Sequence, residues 1–274
     1  MMSLLPRQSL LFSLLKGVNF SYFIFTVLLL SISLQANSHD LPDLSIQVKQ
    51  NKPSIVGIGL FTPIQSNAPK ILGTGFVVGN GKYIVTNYHV VSTELDTTIV
   101  QYFVALSGEG RLPKTHKMEL IGIDPVHDLA ILAIQDTLPA VSLANNELID
   151  DGSEVFMTGF PIGAVLGLYP ATHTGIVAAK APDVNPARNA DELTIKMLKR
   201  LKVPFLIYQL DITAFPGNSG SPVFNRKTGE VFAVLNKVFV SAGKEAALTN
   251  PSGISYAIPV KHVKALAKKN NITL

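Results

Sequence analysis

The sequence predicts an all-β domain, a barrel or sandwich of short antiparallel strands, on three observations. Short runs rich in Val, Ile, Phe, Thr and Tyr recur along the chain, separated by Gly, Pro, Asn and Asp. One pair of runs, Thr74 to Val78 and Lys82 to Thr86, flanks Asn80-Gly81, the strongest short hairpin signal a sequence offers. Helical periodicity is clear only at the C-terminus.

Taken in order, the further strands are Thr98 to Leu106, Met118 to Ile123, Leu129 to Ile134, Glu154 to Gly159, Gly175 to Ala179, Phe205 to Leu210, Val223 to Phe224, Val231 to Phe239 and Ser255 to Ala257. Pro259 opens the terminal helix, expected over about 259–270, with Val260, Val263, Leu266 and Ala267 on one face. A Pro-rich connection from Ala181 to Pro204 contains a second candidate helix, Ala190 to Lys202.

The chain has 274 residues, 47% hydrophobic and 15% charged, with a net charge of +4. That composition supports one large domain or two small half-domains and excludes a disordered tail. The small charge argues against a nucleic-acid groove. The basic residues near the two ends, including Lys261, Lys264, Lys268 and Lys269, read as a solvated helix face, with weak membrane association as the alternative. At the N-terminus, Arg7 and Lys16 precede an apolar run from Phe20 to Leu34 and then Ala36-x-Ser38. Residues 1–38 therefore read as a secretory signal cleaved after Ser38, with an uncleaved anchor as the alternative, which places the protein in the periplasm or outside the cell. There is no cysteine, so no disulfide forms, but export is not excluded.

Three motifs carry chemistry. His89 closes the strand of "TNYHVV", Asp128 opens the strand of "DPVHDLAIL", and Ser219 sits in "FPGNSGSPVF" between Gly217-Asn218 and Gly220. Each alone reads as a structural histidine, a strand-start carboxylate and a turn. Together they supply what acyl transfer requires. A serine hydroxyl needs a base to take its proton, and the base needs a carboxylate to fix its tautomer. Gly217 leaves room for a substrate carbonyl to reach the N–H groups of Gly217 and Ser219, an oxyanion hole. The other histidines, His39, His116, His127, His173 and His262, show no metal-ligand spacing and read as surface or loop residues; no metal or cofactor is expected.

The segments "GTGFVVGNGKYIVTNYHVV", "IDPVHDLAIL", "VFMTGFPIG", "HTGIVAA", "DITAFPGNSGSPVFN" and "GISYAIPVKHV" resemble the chymotrypsin-fold serine proteases of the HtrA/Deg type. The resemblance implies two six-stranded antiparallel β-barrels, the first over about 45–140 and the second over about 150–258, within a protease domain of 39–274. It implies a His89–Asp128–Ser219 triad in the cleft between them. It also implies a serine endopeptidase acting on unfolded or misfolded exported polypeptides, with a noncatalytic, chaperone-like peptide binder as the alternative. The primary pocket would be walled by Ile212, Thr213, Ala214 and Phe215 and by Leu235, Asn236 and Lys237, and no acidic residue among them calls for a basic substrate side chain, so a small or medium aliphatic one is expected. A homo-oligomer, a trimer through Leu41 to Lys52, is a further implication. Two departures stand out: Ser221 occupies a position that is usually glycine, and the sequence stops at Leu274 where many relatives continue into a PDZ domain, so a lone protease domain is expected.

Overall fold

The computed structural model describes residues 41–161, 167–183, 204–238 and 253–274. The secretory or anchor segment 1–38 and the candidate helix Ala190 to Lys202 lie outside them.

The first element was not expected. Helix α1 spans Leu44–Asn51 and starts at Asp43, whose carboxylate accepts the Ser45 N–H at 2.7 Å. Eight residues are too few for a helix stable alone. Tertiary contacts hold it: Gln47 donates to the Arg226 carbonyl at 3.1 Å, while the Arg226 guanidinium donates back to Gln47 Oε1 at 2.8 Å and to the Pro42 carbonyl.

Seven strands make the first half: β1 (Ile55–Phe61), β2 (Lys70–Val78), β3 (Tyr83–Asn87), β4 (Tyr102–Ser107), β5 (Lys114–Lys117), β6 (Glu119–Asp124) and β7 (Leu129–Ala133), in the antiparallel order β5-β4-β1-β2-β3-β7-β6. This differs from the six-stranded barrel that the resemblance implies. The reason is local. The two edge strands, β5 and β6, are consecutive and separated only by Met118, whose N–H goes to the Phe103 carbonyl at 3.0 Å. One run of chain thus bends at Met118, pairing with β4 on one side of the bend and with β7 on the other. The sheet's edges are joined by the chain itself, without a ladder.

The second half is a closed six-stranded barrel, β10-β13-β12-β11-β8-β9, formed by β8 (Glu154–Gly159), β9 (Ala171–Pro182), β10 (Leu206–Asp211), β11 (Pro222–Asn225), β12 (Val231–Val238) and β13 (Ile254–Pro259). One apolar cluster crosses between the halves, joining Ile55, Phe76 and Val78 to Phe156, Phe224 and Val234, with Phe156 and Phe224 stacked at 4.7 Å. Burying such side chains is worth about 2 kcal/mol each, which fixes the two halves against one another. Helix α2 (Val260–Lys269) sets Val260, Val263, Leu266 and Ala267 into the same cluster. Its lysine face is not wholly solvated, because Lys264 donates to the Ala144 carbonyl at 2.5 Å. No helix among the described residues is long and apolar enough to cross a membrane.

Candidate active site

The site begins at the turn Phe215–Asn218. Pro216 and Gly217 occupy its central positions, Gly217 has φ +97°, and the Asn218 N–H closes onto the Phe215 carbonyl at 3.0 Å. A Pro-Gly pair suits a turn whose third residue needs positive φ. Past Ser219, Gly220 has φ +87°, and a Cβ there would lie 2.1 Å from the Thr74 carbonyl oxygen. Only glycine fits.

Thr74 of β2 holds this turn from the other half of the molecule. Its N–H donates to the Ser219 carbonyl at 2.9 Å and its hydroxyl to the Gly217 carbonyl at 2.8 Å, while the hydroxyl oxygen accepts the Phe160 N–H at 3.0 Å. The Gly220 N–H goes to the Leu235 carbonyl and the Ser221 N–H to the Asn218 carbonyl. Of the N–H groups from 217 to 221, those of Gly217 and Ser219 alone have no partner among the described residues.

Asp128 lies across from this turn in the left-handed region, φ +53°, uncommon for a residue with a side chain although Asp tolerates it. Five hydrogen bonds hold it there. Its carbonyl accepts the Tyr88 N–H at 3.0 Å and the Asn87 amide at 3.1 Å; its carboxylate accepts the His89 N–H at 2.9 Å, His89 Nδ1 at 2.6 Å and Asn236 Nδ2 at 2.5 Å. Burial pushes the carboxyl pKa up, but the bonds and charge of His89 and the Asn236 amide outweigh it and hold Asp128 below the usual carboxylate range. With Asp128 ionised, Nδ1 carries the proton and Nε2 keeps its lone pair. The His89 side chain remains 48% exposed. The Ser219 hydroxyl makes its hydrogen bond to the Asn236 carbonyl, at 3.4 Å, and none to the His89 ring.

The expected pocket residues divide. Ile212, Ala214 and Leu235 are buried in the barrel core, Thr213 and Phe215 keep part of their surface, Asn236 turns to Asp128, and the Lys237 side chain lies outside the description. Thr74 and Asn87 were not anticipated, and no spacing rule marks them: both act through contacts between distant segments.

Two further histidines expected at the surface are partly or fully buried against carboxylates. His127 Nδ1 meets Asp124 at 2.6 Å, and its ring stacks on that of His262 at 3.8 Å. His116, 3% exposed, meets Asp136 at 2.5 Å and the Ser107 hydroxyl at 2.7 Å. Among the described residues no three His, Asp or Glu side chains gather as metal ligands.

Ser221 is fully buried, its hydroxyl without a hydrogen-bond partner among the described residues and set over Gly159, where a Cβ would lie 2.0 Å from Ser221 Oγ. Since the side chain makes no bond that the turn needs, Ser221→Gly is expected to change casein hydrolysis by less than about tenfold, roughly 1.4 kcal/mol. A larger loss would assign the hydroxyl a part in holding the turn.

The trypsin-like peptidase domain profile matches residues 73–234. A probable periplasmic serine endoprotease DegP-like of Pseudomonas putida is 34% identical over 190 residues, covering 69% of this chain and 32% of that protein. A protein of the same description from Hahella chejuensis is 29% identical over 262 residues, covering 84% of this chain and 48% of that one. The chain thus spans about a third to a half of these relatives' length. The crystal structure of the serine endoprotease from Yersinia pestis superposes with a TM-score of 0.57 at 23% identity, covering 84% of this chain and 68% of that one, which shows a common fold.

Proposed function

The chain belongs to the trypsin-like peptidase family, and from that premise we propose that it is an exported serine endopeptidase cleaving unfolded or misfolded polypeptides. Ser219 is the nucleophile. Its hydroxyl turns from the Asn236 carbonyl towards His89 Nε2, which takes the proton as Oγ bonds to the scissile carbonyl carbon. The carbonyl oxygen, now anionic, accepts the N–H groups of Gly217 and Ser219, while Asp128 stabilises the imidazolium. His89 next protonates the leaving amine, and water repeats the sequence on the acyl-enzyme, regenerating the serine.

The observation that carries this reading is the pair of N–H groups of Gly217 and Ser219, flanking Asn218, that have no partner among the described residues, where those of Asn218, Gly220 and Ser221 are bonded. They point to a turn built to receive an oxygen. Labelling the purified 39–274 chain with a fluorophosphonate probe tests it: modification at Ser219 is expected. An unlabelled protein that binds unfolded casein without cleaving it would replace the proposal with the noncatalytic peptide binder.

Thr213 and Phe215 are the part-exposed members of the expected pocket wall, in keeping with an aliphatic substrate side chain. The proposal extends to assembly through Leu41 to Lys52, where Ile46 is 54% exposed on α1. Export follows from the N-terminal pattern and from the periplasmic relatives. The protein recovered from its host should begin at His39 by N-terminal sequencing; an intact N-terminus in the membrane fraction would establish the anchor.

A further inference from the structure

We propose that the stacked rings of His127 and His262 are an acid-sensitive joint, which holds helix α2 and the start of β10 against the turn between β6 and β7 while His262 is neutral and opens when it takes up a proton. Three distant segments meet there. The turn 125–128 of the first half brings in His127, whose ring lies 3.8 Å from that of His262 at an interplanar angle of 22°. Phe205, just before β10, makes T-shaped contacts with both rings, at 4.5 and 5.3 Å. Beside the stack, a Cβ at Gly122 of β6 would collide with the Asn270 amide, so the C-terminal end of α2 rests directly on bare backbone. Whatever moves α2 here is felt by the turn that leads into Asp128.

The closed joint has no place for a charge on His262. Its Nε2 is buried and has no hydrogen-bond partner among the described residues, so a proton there would be an unpaired cationic N–H set against another imidazole. Asp124, the nearby carboxylate, is already committed: it accepts His127 Nδ1 at 2.6 Å and the Val126 and His127 N–H groups at 3.1 and 3.2 Å. The charged and titratable groups around the His262 ring are Asp124 and His127, from the turn, and Lys261, from α2 itself. From the remaining segment comes the apolar Phe205, whose carbonyl accepts the N–H of Asp183 at 2.9 Å. Burial, joined by the charges of His127 and Lys261 and opposed by Asp124, pushes His262 down to about 4 from the ordinary 6.5.

Closed, the joint keeps His262 neutral down to about pH 4; open, the ring charges near 6.5, so across that interval the open form binds more protons and gains as the pH falls. Asp124 adds nothing within it. Burial of its carboxyl is outweighed by its bonds to His127, which hold it below the usual carboxylate range, so its contribution is lost only below about pH 4. The ratio of open to closed joint is therefore expected to rise roughly 20-fold between pH 7 and pH 5. Hydrogen exchange of the full chain, corrected for the intrinsic pH dependence of exchange, reads that ratio in peptides covering 121–128 and 260–270, with β8 and β11 as the reference. Wild type should lose protection in those two segments by roughly that factor, and His262→Phe, which keeps a ring in the stack but cannot charge, by less than about threefold. No loss at pH 5, an equal loss in His262→Phe, or a loss shared equally by β8 and β11 would overturn the proposal. If the variant fails to fold, NMR of the wild-type His262 ring decides: it should stay neutral to near pH 5, and a ring that charges at the ordinary 6.5 would overturn the joint. None of these readouts depends on whether the chain cleaves peptides.

Discussion

Replacing Ser219 with alanine is expected to lower hydrolysis of casein by on the order of 10⁴- to 10⁶-fold, leaving the residual rate due to binding and the oxyanion donors. The fold should be unchanged, because the hydrogen bond that the Ser219 side chain makes among the described residues is a long one, 3.4 Å to the Asn236 carbonyl. The informative control is Ser107→Ala. Ser107, His116 and Asp136 form a continuous Ser–His–Asp chain at 2.7 and 2.5 Å, tighter than anything Ser219 makes with His89. Interatomic distance alone would favour Ser107 over the proposed nucleophile. Access decides between them: Ser107 is 8% exposed, the His116 side chain 1%, and Ser107 lies within the β4 ladder, so a substrate carbonyl has no approach. Ser107→Ala should keep its proteolytic rate within a few-fold. A Ser219→Ala protein that still cleaves at an appreciable rate, with contaminating protease excluded, would end the assignment.

His89→Ala is expected to cost on the order of 10⁴-fold or more in kcat, with the other His–Asp pairs as internal comparisons. His116→Ala and His127→Ala each remove an imidazole bonded to a carboxylate in the same manner, at 2.5 and 2.6 Å, yet the His116 ring gives its other nitrogen to Ser107 and the His127 ring packs on Phe205 and His262. His116→Ala should instead lower the melting temperature. It strands the buried Ser107 hydroxyl and opens a cavity, at a cost of about 1–3 kcal/mol. His127→Ala should keep most activity, because Asp128 is held by Tyr88, Asn87, His89 and Asn236 and not by its neighbour in sequence. Measuring kcat and melting temperature for all three variants checks the division; equal losses of kcat would mean that the base has been misidentified.

These contrasts mark what was legible in the sequence. The motifs around His89, Asp128 and Ser219 could be read because their backbone needs are local: a Pro-Gly turn, glycines at positive φ, an aspartate at the mouth of an apolar strand. Strands such as Glu154–Gly159 emerged with their ends in place, since apolar runs bounded by turn residues leave little freedom. Two strands were missed for opposite reasons. Ile55–Phe61 carries Gly57 and Gly59, which dilute its strand signal, and Lys114–Lys117 is polar because it lies at an edge. Helix α1 depends on Gln47 and Arg226, 179 residues apart, and no window along the chain contains both. Asn236 was read as a pocket wall, and its bond to Asp128 was invisible because the two lie 108 residues apart. His116 was taken for a surface residue since nothing adjacent to it in sequence reveals Asp136.

The bend at Met118 bears on how this protein survives its own proposed occupation. A sheet edge with open N–H and C=O groups is a template on which any extended chain can add itself as a further strand, and unfolded polypeptide is rich in such chains. The second half offers no edge, because its barrel is closed. In the first half, the two strands that would be edges are four and six residues long and run into one another, with Lys114, Lys117 and Glu119 exposed along them. Short, charged and continuous with each other, they give an incoming strand little to pair with. A protease built this way can meet aggregation-prone chains at its cleft without recruiting them into its own sheets.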